Sequence, residues 1–311
     1  MKLFKPLFWK KKYSILSALF LPAAILIQIL FLIKKQIAKK EKFSVPIICI
    51  GNLYIGGTGK TPLAIKISEI LRKLNKNPAI IKKFYKNQND EIQLIKEKTK
   101  NLVTASSRRK AIAEALKKKF GLIILDDGFQ DHSIKKNLNI LCFNSGQLVG
   151  NAFTIPSGPL REPLNSIKNC QIVVINGDRN EKFEDKIKKI SKNISIYYSN
   201  YLPLNIKKLK NMDLLAFAGI GNPENFFNLL LKYNLSVKKT IPFPDHYDYT
   251  EKDIKKLNNL ASKNSLRLVT TEKDYFRLKH LRLNNNISYL PVELNIIEEE
   301  KFIKELREYI K

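Results

Sequence analysis

Short apolar runs alternate with amphipathic stretches along most of the chain. Runs that are almost continuously apolar include "VPIICIGN", "NPAIIKK", "FGLIILDDGFQ", "NLNILCFN", "CQIVVIN" and "ISIYYS". They are typical of strands buried on both faces of a parallel sheet. Between them, "TPLAIKISEILRKLN", "RKAIAEALKKKF" and "EDKIKKISKN" carry apolar residues at helical spacing. This alternation predicts an α/β fold, with a parallel sheet and helices on both of its faces.

The alternation begins again near residue 205. "DLLAFAGIGNPENFFNLLLKY" predicts a strand, a Gly turn and a helix that has Asn222 as its N-cap. "VKKTIPF", "SLRLVTT" and "ISYLPVEL" predict three further strands, and Thr250 precedes the helical stretch "EKDIKKLNNLASK". "EEKFIKELREYIK" predicts a terminal helix. We therefore predict an N-terminal segment (1–40), a larger domain (41–205) and a smaller α/β lobe (206–311).

An apolar segment near the N-terminus, residues 13–33, is long enough to cross a bilayer. Lysines flank it on both sides: Lys2, Lys5, Lys10, Lys11, Lys12, Lys34, Lys35, Lys39 and Lys40. No small-residue cleavage site follows, which argues against a cleaved signal peptide. A spanning helix and a buried helix of the globular fold stay open. Because basic flanks favour the cytoplasmic side, we favour a membrane-associated helix or bent hairpin embedded from the cytoplasmic face of a membrane.

The chain of 311 residues is strongly basic, with a formal net charge of +28. Such a charge is typical of proteins that bind nucleic acid or an anionic membrane surface. The lysines are scattered through every segment and no nucleic-acid-binding motif is present, so we expect no nucleic-acid partner. Cys49, Cys142 and Cys170 lie in or beside apolar runs without metal-ligand spacing, which predicts buried thiols in a reducing compartment.

A glycine-rich stretch, "GNLYIGGTGKTP", follows the first strand and precedes a helix. Its glycines allow backbone N–H groups to approach an anion closely. Lys60 is expected to reach the β- and γ-phosphates of ATP, and Thr61 to place its hydroxyl on Mg²⁺. The residues expected to surround the phosphates are Gly56, Gly57, Thr58, Gly59, Lys60 and Thr61. The formal P-loop pattern asks for glycine at position 54, where this chain has Tyr54.

A P-loop requires a second acid to hold Mg²⁺ or its water ligands. The apolar strand "LIILDDGFQ" ends in Asp126 and Asp127, which is the Walker B arrangement. Two acids at a strand end are common in isolation, but together with the glycine-rich loop they predict a metal-dependent nucleotide site.

Two further loops carry candidate chemistry. "PSGPLREP" contains three prolines that restrict its backbone, and it presents Arg161 and Glu162 in a definite direction. An arginine held in this way can stabilise charge on a transferring phosphoryl group. "FPDHYDYT" places His246 among carboxylates, where it can assist a proton acceptor; a surface histidine is the other interpretation.

These motifs together resemble those of a known enzyme family. "VPIICIGNLYIGGTGKTP", "LDDGFQ", "PSGPLREP", "FAGIGNPENFF", "FPDHYDYT" and "TTEKDYFRL" follow one another as they do in the tetraacyldisaccharide 4'-kinases, the lipid A 4'-kinases of Gram-negative inner membranes. The N-terminal apolar segment also resembles theirs, so the similarity covers essentially the whole chain. It implies a kinase that uses ATP and Mg²⁺ to phosphorylate the 4'-hydroxyl of a tetraacyldisaccharide 1-phosphate.

The resemblance also implies roles for individual residues. It places the family's catalytic aspartate on Asp90, in "NQNDEIQ", and pairs it with His246. Lys60 and Arg161 are implied as further catalytic residues. Phosphate or nucleotide contacts are also implied for Arg109 and Glu162, and metal contacts for Thr61, Asp126 and Asp127.

The chain departs from the family pattern in three places. The family's "SRGYG" is here "IKKFYK", which retains only Tyr85, and "GDEP" lacks its glycine and proline. In "DDGFQDH", Asp131 fills the family's histidine position, so His132 receives no role. We expect a monomer that acts at the membrane surface. The alternative is a membrane-associated P-loop ATPase or GTPase of another function, although no guanine-reading N/T-K-x-D motif is present.

Overall fold

The structure is a computed structural model that describes residues 6–11, 13–84, 89–279, 281 and 286–310. Lys2, Lys5, Lys12 and Tyr85, named above, lie outside this described part. The chain forms two compact units. Of the described residues, the smaller unit holds those within 85–100 and 201–294, and the larger unit holds those within 5–84, 101–200 and 295–311. The prediction places one boundary at 205/206. The structure instead groups the described residues within 85–100 with the smaller unit and those within 295–311 with the larger unit.

Helices and strands alternate along the described chain. The strands are β1 (Ile47–Gly51), β2 (Pro78–Lys83), β3 (Leu102–Ala105), β4 (Leu122–Asp126), β5 (Leu138–Asn144), β6 (Ile172–Asn176), β7 (Ser195–Pro203), β8 (Asp213–Ala218), β9 (Ser236–Pro242), β10 (Arg267–Thr271), β11 (Ile287–Leu290) and β12 (Val292–Ile296). The α-helices are α1 (Ile15–Leu19), α2 (Leu21–Ile37), α3 (Lys60–Lys73), α4 (Asn89–Lys98), α5 (Arg108–Lys117), α6 (Glu181–Ile190), α7 (Pro223–Lys232), α8 (Glu251–Lys263), α9 (Glu272–Leu278) and α10 (Glu299–Glu308).

The larger unit is built on a mostly parallel sheet. Its eight strands follow the order β12-β7-β6-β5-β1-β4-β2-β3, and the pairs from β3 to β7 are parallel. Strands β1 and β4 are buried along their whole length, as their continuous apolar runs predict. β1 lies beside β4 with Ile50 opposite Asp126, so the carboxyl ends of both strands reach the same edge of the sheet. The predicted α/β architecture is confirmed.

The smaller unit has a four-stranded parallel sheet in the order β11-β10-β8-β9. Its central strands β8 and β10 are apolar and buried in their interiors. Thr250 begins α8 with a full capping box: its hydroxyl accepts from Asp253 N while the Asp253 carboxylate accepts from Thr250 N. Asn222 and Pro223 begin α7 as predicted, although the Asn222 side chain makes no capping hydrogen bond.

The N-terminal segment packs on the larger unit through a few inward side chains. Trp9 is buried and donates from Nε1 to Pro156 O at 3.1 Å, and Ser17 bonds to Asn151 and Ser157. Most apolar side chains of α1 and α2 are instead exposed: Ile15, Leu16, Leu19, Phe20, Leu21, Ile25, Leu26, Ile27, Ile29, Leu30, Leu32, Ile33 and Ile37. No helix in the described ranges combines the length and apolarity that are required to cross a membrane.

Four differences separate the structure from the sequence prediction. Helices α4 and α9 and strand β3 were not predicted. "ISYLPVEL", predicted as one strand, is two: β11 pairs with β10, whereas β12 joins the large sheet beside β7. Pro291 separates them because it has no N–H to donate to a sheet ladder. The three cysteines are free and buried, which confirms their prediction as buried thiols.

Candidate functional site

The glycine-rich loop, residues 56–61, bends sharply between β1 and α3, and we call it the phosphate loop. Gly56, Gly57 and Gly59 have φ angles of 73°, 66° and 92°, which lie in the left-handed region that glycine adopts without a Cβ penalty. Gly59 is the N-cap of α3, so the orphan N–H groups of the first helical turn follow it directly. The loop therefore joins a helix N-terminus to a glycine-rich turn, an arrangement that favours a bound phosphate.

Side chains outside the loop fix its shape. Asn52 is fully buried and donates from Nδ2 to Thr58 Oγ1 at 3.0 Å, and Asn52 O accepts from Gln130 Nε2 at 3.0 Å. Tyr54 stands where the formal P-loop pattern has glycine, but it is not among the residues with a positive φ. It is buried and bridges Leu160. The missing glycine therefore costs the backbone nothing at this position.

The acids at the end of β4 meet the phosphate loop. Thr61 Oγ1 donates to Asp126 Oδ2 at 2.9 Å, and Lys82 Nζ, at the end of β2, donates to the same oxygen at 2.7 Å. Lys60 Nζ lies 3.8 Å from Asp127 Oδ1, and Arg161 Nη1 donates to that oxygen at 2.8 Å. The structure thus brings the predicted Lys60, Thr61, Asp126, Asp127 and Arg161 into one cluster.

The cations of this cluster keep Asp127 charged. Burial would raise the pKa of Asp127, but the positive charges of Lys60 and Arg161 outweigh burial and lower the pKa to about 2. Asp127 also adopts a left-handed φ of 61°, unusual for a residue with a Cβ. Arg108 Nη2 donates to the Asp127 carbonyl oxygen, which ties this strained position down.

The oxygen groups here fit a magnesium ion. Asp126 is fully buried, and its Oδ1 has no hydrogen-bond partner among the described residues. Carboxylate and hydroxyl oxygens are the ligand types that Mg²⁺ prefers, and it commonly uses one or two carboxylates together with substrate phosphates. The described part of the chain holds no group of three or more His, Cys, Asp or Glu arranged for a metal. Thr61, Asp126 and Asp127, the predicted metal contacts, provide such oxygens.

Arg109 does not reach this cluster. Its guanidinium bonds to Lys39 O at 3.0 Å and Ser133 O at 3.1 Å, and it pairs with Glu41 at 3.1 Å. The neighbouring Arg108 instead faces Asp127 O and Asp131. The structure does not bring Arg109 to the phosphate loop. A nucleotide contact by this residue stays a prediction.

Glu162 lies on the wall of a cavity of about 380 Å³ in the larger unit. The cavity is lined by Arg161 and by α2 residues that include Gln28, Phe31 and Lys35. Burial raises the pKa of Glu162, and its Oε1 has no hydrogen-bond partner among the described residues. A polar group that is left unpaired in a cavity is available to a ligand.

A second cluster of charges lies within the smaller unit, and we call it the Asp90 cluster: Asp90, Glu91, His246, Lys273 and Arg277. Arg277 donates from Nε to Asp90 Oδ2 at 2.9 Å and also from Nη2. Lys273 Nζ lies 3.4 Å from the same oxygen and donates to Glu91 Oε1 at 2.9 Å. His246 Nδ1 lies 3.4 Å from Asp90 Oδ2. The predicted Asp90–His246 pair is therefore present.

Neighbouring side chains hold Asp90 in its charged form. Burial would raise the pKa of Asp90, but Lys273, His246 and Arg277 outweigh burial and hold that pKa well below its usual range. Burial alone would lower the pKa of Lys273. The nearby carboxylates of Glu91 and Asp90 raise this pKa by more than burial lowers it, so the net shift is upward. Both partners are consequently ionised at neutral pH.

The loop that carries His246 is held in place by aromatic packing and a close backbone approach. The Phe243 ring packs on Tyr247 and Tyr249 with centroids 4.8 and 5.1 Å away. His246 has a left-handed φ of 55° and donates its N–H to Gly219 O at 3.1 Å. A Cβ on Gly219 would lie 2.9 Å from Tyr249 Oη, so a larger residue at this position would force its neighbours to shift. Strain of this kind persists where the surroundings over-determine a conformation.

Sequence reasoning gave no role to Lys82, Lys273, Arg277 or Arg108. Lys273 and Arg277 belong to "TTEKDYFRL", and their spacing of four residues places both on one face of α9. That spacing was a usable signal. Lys82 is a charged residue near the end of an apolar strand. Its contact with Asp126 depends on the pairing of β2 with β4, which the sequence alone does not show.

Comparison with known proteins gives consistent matches over almost the whole chain. The family model described as tetraacyldisaccharide-1-P 4'-kinase matches residues 12–311. A tetraacyldisaccharide 4'-kinase of Pelagibacter ubique is 43% identical over 315 residues, covering 98% of each chain. One of Rickettsia canadensis is 34% identical and covers 95% of this chain and 94% of its own.

A solved structure shares the fold. The crystal structure of LpxK from Aquifex aeolicus in complex with ATP superposes with a TM-score of 0.74 at 23% sequence identity. The match covers 96% of this chain and all of the Aquifex chain. At this identity, the likeness establishes the architecture and leaves individual residue roles to the geometry described above.

Proposed function

The chain belongs to the tetraacyldisaccharide-1-P 4'-kinase family, and from that premise we propose that it transfers the γ-phosphoryl group of ATP to the 4'-hydroxyl of a tetraacyldisaccharide 1-phosphate. The observation that carries the proposal is the hydrogen bond from Thr61 to Asp126 at the end of the phosphate loop. It joins the two parts that a phosphoryl-transfer site requires, a phosphate cradle and a metal-side acid.

The larger unit supplies the groups that bind the nucleotide. Backbone N–H groups of the phosphate loop and the N-terminus of α3 hold the phosphates, and Lys60 neutralises charge on them. Thr61, Asp126 and Asp127 would hold Mg²⁺, which would supply positive charge against the phosphates. Arg161, positioned by Asp127 at 2.8 Å, is placed to stabilise the negative charge that spreads over the transferring group.

Asp90 is the proton acceptor in this proposal, as the family resemblance implies. A sugar hydroxyl does not ionise at neutral pH, so a nearby base must take its proton as the bond to phosphorus forms. Asp90 is ionised and buried, and His246 stands 3.4 Å from it. Lys273 and Arg277 orient Asp90 and keep it charged and ready to accept.

The N-terminal segment brings the enzyme to its lipid acceptor. An acylated disaccharide leaves a bilayer at a cost of about 0.8 kcal/mol for each exposed CH₂ group, so the enzyme has to work at the surface. The exposed apolar face of α1 and α2 supports attachment to a membrane. We place it at the cytoplasmic face of the inner membrane, as the family resemblance implies. Basic residues at the end of α2, Lys34 and Lys35, suit anionic headgroups.

Substitution of the proposed base tests this function. We expect Asp90→Asn and His246→Ala each to lower the rate of phosphate transfer by about 10²–10⁴-fold, the usual range for general acid–base groups. Binding of ADP with Mg²⁺, measured by calorimetry, is expected to stay near wild type because the phosphate loop is untouched. Asp248→Asn, in the same loop as His246 but exposed, is the matched control.

Two outcomes would contradict the proposal. Near-wild-type transfer by Asp90→Asn would remove the proton acceptor from its assigned place. Hydrolysis of ATP or GTP by the wild type at a rate that the lipid acceptor does not change, without any lipid product, would favour the alternative of a membrane-associated P-loop ATPase or GTPase.

A further inference from the structure

Lys82 occupies an unusual place for a lysine. It lies near the end of β2. The preceding residue, Ile81, pairs with Leu125 of the neighbouring strand β4. This register brings Lys82 beside Asp126. The two side chains are 3% and 0% exposed, and Lys82 Nζ is 2.7 Å from Asp126 Oδ2. A lysine is almost never so deeply buried unless it is paired.

The ammonium group of Lys82 shares its acceptor with the hydroxyl of Thr61, one of the predicted metal contacts. Thr61 Oγ1 donates to the same Asp126 Oδ2, at 2.9 Å. A cation held by Thr61 and Asp126 would therefore have to lie next to a fixed positive charge. The other oxygen of Asp126, Oδ1, is buried and has no hydrogen-bond partner among the described residues. One half of the carboxylate is thus occupied by Lys82 and Thr61, and the other half is available.

The charge balance of the cluster points the same way. Around the phosphate loop stand the cations Lys60, Lys82 and Arg161 against two carboxylates, Asp126 and Asp127. Before any ligand binds, this set carries an excess of positive charge. Such a site attracts a polyphosphate and disfavours a free divalent cation.

We propose that Lys82 makes the site reject the free divalent metal and accept it only together with the nucleotide. Lys82 neutralises Asp126 in the ligand-free protein and so weakens the attraction of the metal-side acids for Mg²⁺ alone. The negative charge of the phosphates offsets the ammonium when metal and nucleotide arrive as one complex. This inference rests on the proposed function only in taking the loop as a nucleotide site.

Binding measurements without the lipid acceptor test the proposal. The probes are Mn²⁺ alone, followed by electron paramagnetic resonance, and ADP alone in the presence of a chelator, followed by calorimetry. The variants are Lys82→Met, which removes the charge but keeps the length, and Lys82→Arg, which keeps the charge. Lys83→Met is the matched control because successive side chains of a strand point to opposite faces.

Removal of the ammonium should move the two affinities in opposite directions. We expect Lys82→Met to bind Mn²⁺ alone at least about tenfold more tightly than wild type, and ADP alone at least about threefold more weakly. Lys82→Arg and Lys83→Met should resemble wild type in both measurements. A purely structural ion pair would instead lower the melting temperature of Lys82→Met and leave both affinities unchanged, which would overturn the proposal.

The wild type decides the question even if Lys82→Met does not fold. The proposal requires that the nucleotide-free wild type bind Mn²⁺ no better than millimolar, and that ADP tighten this binding at least about tenfold. Tight Mn²⁺ binding without nucleotide, lost in Thr61→Ala, would contradict it. None of these results depends on lipid phosphorylation, so failure of the proposed function is detected separately, by the absence of a phosphorylated lipid product.

Discussion

Arg277 offers the sharpest test of how the proposed base is held. Its guanidinium donates to Asp90 Oδ2 at 2.9 Å, to Gly219 O at 2.7 Å and to Asp274 Oδ1 at 2.8 Å. The Arg277 and Asp90 side chains are 9% and 2% exposed, so solvent screens their interaction little. Arg277→Met removes the positive charge and keeps most of the side-chain volume.

The magnitude follows from the geometry. Two unit charges about 4 Å apart interact by about 4 kcal/mol at an effective dielectric constant of about 20. At about 1.36 kcal/mol for each pKa unit, this corresponds to at most about three units on Asp90. Lys273 stays 3.4 Å from Asp90 Oδ2, and water that enters the space screens what remains. We therefore expect the pKa of Asp90 to rise in Arg277→Met toward the ordinary range of a carboxyl group.

The sign of the effect on catalysis is definite. A protonated Asp90 cannot accept the proton of the sugar hydroxyl. In the wild type, the pKa of Asp90 lies far below its usual range, so this group does not limit the rate at mildly acidic pH. In Arg277→Met, the rate should fall at a higher pH than in the wild type, in addition to a lower maximum caused by misplacement of the carboxylate.

The assay is the pH dependence of kcat/KM for phosphate transfer. The wild type is compared with Arg277→Met, Arg277→Lys and a control, Lys279→Met. Lys279 is an exposed cation at the end of the same helix, and it pairs with Glu97 rather than with Asp90. Breaking a buried ion pair costs about 3–5 kcal/mol of stability, so folding is monitored by circular dichroism at each pH. An acidic limb of Arg277→Met that coincides with the wild-type limb would refute the reasoning, because loss of packing alone lowers the rate equally at every pH.

Two further predictions concern charge and membrane attachment. The pKa of Asp127 falls from 3.8 to about 2 on folding, so Asp127 contributes about 2 kcal/mol of stability above about pH 4 that is lost as the pH falls toward 2. In urea unfolding, the wild type and Asp127→Asn should differ by that amount near neutrality and converge in acid; a pH-independent difference would contradict this. Leu26 and Leu30 are each 59% exposed on α2, and the double change Leu26→Lys and Leu30→Lys should lower binding to anionic vesicles at least about tenfold in a flotation assay. Undiminished flotation of the double variant would exclude this face as the contact.

The phosphate loop was predictable from the sequence because its parts are contiguous. Strand, glycine turn and helix follow one another within residues 47–73, and each is specified by local pattern. The positive φ angles of Gly56, Gly57 and Gly59 are the property that the glycines signalled. The positions of Asp126 and Asp127 were predictable for the same reason, because these residues follow an apolar run.

The missed elements depend on contacts that the sequence does not display. Helix α9 has only seven residues, too few for a periodic apolar pattern to stand out. The choice between Arg108 and Arg109 is set by the orientation of the first turn of α5, where consecutive side chains point about 100° apart. Lys82 acquires its partner only through the pairing of β2 with β4. Such placements follow from register and helix rotation, which composition and spacing leave open.

The most direct measurement is to identify the product formed from ATP, Mg²⁺ and a tetraacyldisaccharide 1-phosphate presented in vesicles. Mass spectrometry and ³¹P nuclear magnetic resonance locate the added phosphate. We expect the wild type to yield the 1,4'-bisphosphate with one ADP for each phosphate transferred, and Lys60→Ala to yield almost none. Consumption of ATP by the wild type without any phosphate on the 4'-oxygen would contradict the account.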